Sequence, residues 1–111
     1  MRTGTSRCVR LVAAVCLIYA GTSHAAYNDN FTTRITEVLT YDNGLFLIAT
    51  ATMPSGQPCG VYWIVPGDVP ADARQMLLSR ALIAREKGEL INIGYDHETC
   101  VNGWYRIHRL G

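Results

Sequence analysis

"VPADARQMLLSRALIAREKGELINIGY", residues 69–95, is the stretch whose reading decides the fold. Two signals stand back to back in it. Asp68 or a neighbour starts a helix, and "ADARQMLLSRALIAREKG", residues 71–88, contains only good or tolerable helix formers. Pro70 suits the first turn, Asp72 complements the positive end of the dipole, and Arg85 and Lys87 complement the negative end. Gly88 is a natural stop. The chain then changes period. In Glu89 to Tyr95, Ile91, Ile93 and Tyr95 alternate with Leu90, Asn92 and Gly94, which predicts a strand.

Three strands are expected before this helix. Thr32 to Tyr41 is rich in β-branched residues. Asn43-Gly44 is a hairpin signal, because both residue types tolerate positive φ, and Leu45 to Thr52 is the returning strand. Met53 to Pro58 reads as a loop from its Pro and Gly content, and Cys59 to Val65 as a third strand closed by Pro66-Gly67. Beyond the fourth strand, "DHETCVNG", residues 96–103, reads as a turn or loop. "WYRIHRL", residues 104–110, reads as the last strand. The order is β-β-β-α-β-β. It fits a five-stranded, partly open Greek-key barrel of the OB type, and also an α+β sheet covered by one helix. The barrel is the expected fold, because it explains the single central helix.

The first 25 residues read as a secretory signal peptide. Arg2, Arg7 and Arg10 form a basic start, and Leu11 to Ala20 is an apolar run too short to span a bilayer as a mature helix. Ser23-His24-Ala25 offers small residues at the cleavage site. The expected product, 26–111, is one small domain that is secreted or periplasmic and has no membrane span. Its seven basic and nine acidic groups leave a net charge near −2, which disfavours nucleic acid as a partner. Two cysteines remain, Cys59 and Cys100. An even count in a secreted context reads as one disulfide. The chain-entropy model assigns roughly 4 kcal/mol to a closed loop of about 42 residues.

Apolar residues exceed what so small a barrel should hide. Phe46 and Ile48 face opposite to Leu45, Leu47 and Ala49, while Tyr62 and Ile64 face opposite to Val61, Trp63 and Val65. On the helix, Ala73, Leu77, Ala81 and Ala84 form one stripe. Met76 and Ile83 lie about 100° from its centre, and Leu78 and Leu82 form a third patch. Phe46, Ile48, Met76 and Ile83 are therefore the candidate interface of a homo-oligomer or of a partner subunit.

The run from "ITEVLTYDNGLFLIAT" through "CGVYWIV" to "LLSRALIAREKGELINIGY" resembles the B subunits of bacterial AB-type toxins, in the style of the subtilase cytotoxin and typhoid toxin B subunits. The resemblance covers most of the mature chain. It lies in the signal peptide, the hairpin, the cysteine-bearing middle strand and the single helix ending in Gly. It implies an OB-fold, a ring-forming homopentamer and glycan binding. This chain is shorter, its loops differ, and no sugar-binding residue of that family carries over to a position here.

For a ligand, the candidate residues are Trp63, Trp104, Arg106 and His108, joined by Tyr62 or Tyr95. Aromatic rings can stack on the apolar faces of sugars while Arg and His bond the hydroxyls. The ordinary alternative is a core Trp104 with solvated Arg106 and His108. A small hydrolase using His97, Glu98 and His108 is a second possibility, and an inhibitor or accessory subunit of another secreted protein a third. Neighbours in an extended chain point to opposite faces, so Asp96, His97 and Glu98 do not easily meet one ion. No metal, cofactor or catalytic residue is assigned. The reading is a non-enzymatic module that binds a glycan or a protein.

Overall fold

A computed structural model describes residues 27–56 and 58–111. The expected signal peptide, 1–25, and the mature start at Ala26 lie outside the described residues. Five strands and one helix follow in the order β1 (Asp29–Thr40), β2 (Phe46–Thr50), β3 (Tyr62–Val65), α1 (Ala71–Lys87), β4 (Leu90–Val101) and β5 (Trp104–Leu110). The strands close into a barrel in the order β1-β2-β3-β5-β4, with β3 and β5 parallel and every other pair antiparallel. This is an OB-fold-like barrel with one helix.

Closure depends on β1. Its first half, Asp29 to Arg34, pairs with β4, and its second half, Ile35 to Thr40, pairs with β2. The register shifts between Ile35 and Glu37, and such a bulge bends a strand. One long strand can then serve both sides of the barrel and leave no open edge there. β1 starts three residues earlier than the β-branched run suggests. β3 is shorter than expected, and β4 runs on to Val101 through residues read as loop.

The two Asn-Gly pairs behave differently. At Asn43-Gly44 only Gly44 has positive φ, and the turn is held by Tyr41 donating to the Leu45 carbonyl and Leu45 donating to Asn43 Oδ1. At Asn102-Gly103 both residues have positive φ, 52° and 87°, as a tight hairpin between β4 and β5 requires.

The helix ends where its sequence places the stop but starts at Ala71, so that Pro70 precedes its first turn instead of lying in it. Pro70 is the N-cap residue. Gly88 takes the left-handed conformation, its N–H reaching the Arg85 carbonyl while Glu89 N reaches the Ala84 carbonyl. Ala81 and Ala84 are fully buried, and Ala73, Leu77 and Leu78 pack partly against the same core. Small side chains on this stripe let the helix axis come close to the barrel. Arg34 and Arg85 fasten its last turn by donating to the Gly88 and Thr36 carbonyls.

Inside the barrel three aromatic rings meet. Trp63 lies edge-on to Tyr95 at 5.1 Å and 5.5 Å from Tyr105, and Tyr95 and Tyr105 are 5.0 Å apart. Trp63 is fully buried, and its Nε1 donates to Thr50 Oγ1 at 3.0 Å. Phe46 and Ile48 belong to the same core. Both therefore leave the candidate interface: the barrel interior takes the face of β2 opposite to Leu47. Leu47 and its cross-strand partner Ile64 alternate with the core residues, and yet both are buried. Met76 is 70% exposed and Ile83 49%, with Leu82 and Leu90 comparably open. The surplus apolar surface thus lies mainly on the helix, with Leu90 at the start of β4 and Val61 just before β3 added to it.

The Cys59–Cys100 disulfide is present, with Cα atoms 5.5 Å apart. It ties the chain entering β3 to the end of β4. Among the described residues no helix is long and apolar enough to cross a membrane.

Candidate functional site

β5 decides the site. Tyr105 and Ile107 point into the barrel, and Trp104, Arg106 and His108 point out and are half-buried. The alternation then breaks. Gly94 pairs with Arg109 but Tyr95 pairs with Ile107, so His108 is an extra residue on β5. The bulge resets the period: Leu110 packs toward the core, and Arg109 joins Arg106 and His108 on the outer face. A strict two-residue period puts Arg109 inside, which is why sequence reasoning overlooked it.

Two glycines make room for two rings. A Cβ at Gly94 would lie 2.9 Å from Tyr27 Cε2, so only a bare backbone lets the Tyr27 ring rest there. Tyr27 stacks on His108, with centroids 6.1 Å apart and planes 21° apart, and the Arg109 guanidinium lies 5.9 Å from the Tyr27 centroid. Arg109 Nη2 donates to Asn30 Oδ1 at 2.7 Å and also to Asn92 Oδ1. Asn92 Nδ2 in turn donates to Thr32 Oγ1 at 2.9 Å. These side chains from β1, β4 and β5 form one oriented polar array beside an aromatic ring.

At the other end of β5, Trp104 covers Gly60. A Cβ there would lie 2.5 Å from Trp104 Cζ3. Tyr62 meets Trp104 edge-on at 5.2 Å. Gly60 N donates to the Gly103 carbonyl at 2.8 Å, and the adjacent disulfide fixes the same corner. The two ring clusters stand about 13 Å apart along the strand, at about 3.3 Å per residue. Arg106 lies between them, opposite Ile64 of β3. Trp63 and Tyr95 take no part, because both are barrel core. Trp63 is thus removed from the candidate binding residues, while Trp104, Arg106 and His108 share one surface.

His97 and Glu98 form a second group at the β4–β5 hairpin. His97 Nδ1 is 3.3 Å from Asp29 Oδ2, and His97 Nε2 is 3.6 Å from Glu98 Oε2. Asp96 accepts from Glu98 N and from Thr99 Oγ1, and these bonds hold its carboxyl below the usual carboxylate range. Burial, with help from the Arg106 cation, lowers the His108 pKa, and Asp96 opposes it weakly. The three residues of the hydrolase reading therefore divide: His97 lies between the Asp29 and Glu98 carboxylates, and His108 is stacked on Tyr27. Among the described residues no group of three or more His, Cys, Asp or Glu side chains could hold a metal ion.

Chemically, the outer face of β5 offers two partly open rings, a guanidinium held by neutral amides, and side-chain amides and hydroxyls that both donate and accept. Compared with known protein families, curated proteins and solved structures, the chain shows no significant match to any.

Proposed function

We propose that the domain is a secreted or periplasmic, non-enzymatic glycan-binding module that self-associates in the manner of a toxin B subunit. One observation carries the ligand class. Tyr27 and Trp104 stand at the two ends of a strip of β5 that carries Arg106 and His108, and at the Tyr27 end Asn30 and Asn92 orient Arg109. Sugars present apolar faces to rings and hydroxyls to amides and guanidinium groups, and this strip supplies both. An interior Trp63 and Tyr95 leave the binding to the outer pair.

Self-association is supported by Met76, Ile83 and Leu82 on the open side of α1, with Leu90 just beyond it. Covering what remains exposed of Met76 and Ile83 contributes about 1–2 kcal/mol each, enough to matter beside the 5–15 kcal/mol of an ordinary domain.

A glycan array read with the secreted protein, followed by calorimetry on any hit, tests the ligand. Replacing Trp104 or Tyr27 with Ala is expected to abolish binding while the protein stays folded; a hit that survives both changes refutes the site. Light scattering after size exclusion tests assembly. An oligomer that Met76→Ser with Ile83→Ser converts to monomer is the expected result, and a wild-type monomer at high concentration refutes it.

A further inference from the structure

We infer that the cleft between α1 and the end of β5 binds a small amphipathic anion, with the anionic head at Arg109 and Arg80 and the apolar part against Met76 and Leu77. The cleft has a volume of about 320 Å3, and its walls include Met76, Leu77, Arg80, His108, Arg109 and Leu110. Among the described residues, none that lines it carries a carboxylate. Arg80 is bonded at 2.7 Å to Glu89, which lies outside the lining.

Arg109 is the anchor. Its described hydrogen-bond partners are the neutral side-chain oxygens of Asn30 and Asn92, and none of the described ion pairs includes it. Among the described residues this guanidinium is thus oriented by neutral partners, at a cleft whose other walls are largely apolar. A soluble anion with a short apolar tail complements both features. The cleft lies within one protomer and is small, which favours a free molecule over a bilayer surface.

This inference concerns a ligand distinct from the glycan, and its test uses a different probe. Octanoate is titrated into the isotopically labelled mature protein, with acetate and octanol as head-only and tail-only controls. Octanoate is expected to give saturable shifts confined to residues 73–80 and 108–110, with both controls far weaker. Arg109→Gln should weaken binding about tenfold, the range for losing a charge-assisted hydrogen bond. Met76→Asp puts a negative charge on the cleft wall and should abolish binding without touching the core. Ile83→Ser opens the same assembly contact but lies outside the cleft and should leave octanoate binding unchanged, so loss of assembly and loss of the cleft are told apart even if the Arg109 variant fails to fold. Acetate or octanol binding as tightly as octanoate overturns the inference. So does octanoate binding unchanged by Arg109→Gln or Met76→Asp, or capture by anionic phospholipid vesicles with no response to free octanoate. Glycan binding is lost on Trp104→Ala and octanoate binding is not, so the two readings fail separately.

Discussion

Gly60→Ala tests the site more sharply than removal of a ring. Gly60 has no positive φ, so alanine meets no backbone strain there. Its methyl would stand 2.5 Å from Trp104 Cζ3 and 2.9 Å from Cε3, with the Gly103 carbonyl behind at 3.4 Å. The indole must therefore retreat by about 1 Å to regain contact distances of about 3.5 Å. Trp104 is only half-buried, so it can move, and the stability cost should fall near the low end of the 1–3 kcal/mol typical of overpacking, about 1 kcal/mol. Moving the indole also breaks the edge-on contact with Tyr62 at 5.2 Å. Near-ultraviolet circular dichroism should lose part of its tryptophan signal, thermal melting should drop by about 4–8 °C, and glycan affinity should fall well beyond what the lost stability explains. An unchanged spectrum with unchanged affinity would show that the Trp104 ring does not rest on Gly60.

Other outcomes follow from the same structure. Replacing Cys59 and Cys100 together by Ala removes a cross-link over a sequence separation of 41, which the chain-entropy model values at about 4 kcal/mol; urea unfolding should show most of that loss, and a change under about 1 kcal/mol refutes the entropic account. Tyr95 has its phenol pushed up to about 12, chiefly by burial and then by the Asp29 charge. Its ordinary value is 10.0, so the folded state holds the proton longer than the unfolded chain. Stability from this group is complete below pH 10 and is lost as pH rises toward 12. Spectrophotometric titration should show Tyr95 ionising late and together with unfolding, and a Tyr95→Phe protein should lose less stability above pH 10. His108 runs the opposite way: its lowered pKa makes the folded state resist protonation, so stability falls as pH drops through 6.5, and His108→Gln should flatten that acid slope.

Much of this was legible from residue order alone. The helix from Ala71 to Lys87 was readable because its leading proline, dipole-matched charges and terminal glycine all act within a few residues. The last strand was readable because Tyr105 and Ile107 alternate with polar neighbours. Element order and helix count were then enough to expect an OB-type barrel, though a partly open one where the structure closes it, and the two cysteines left after the expected signal peptide were enough to expect the Cys59–Cys100 bond. The extension of β4 through Asp96 to Val101 was not readable, because polar residues there give no period and pairing with β5 supplies the order.

Only the tertiary structure decided which apolar residues are surplus. Phe46, Ile48 and Trp63 are as apolar as Met76 and Ile83, and nothing local separates them. Barrel closure places the first three inside and leaves the helix pair outside. It also decided that Arg109 belongs to the outer surface. A bulge at His108 depends on how two strands register against each other, and that register is a property of the pair, not of either segment.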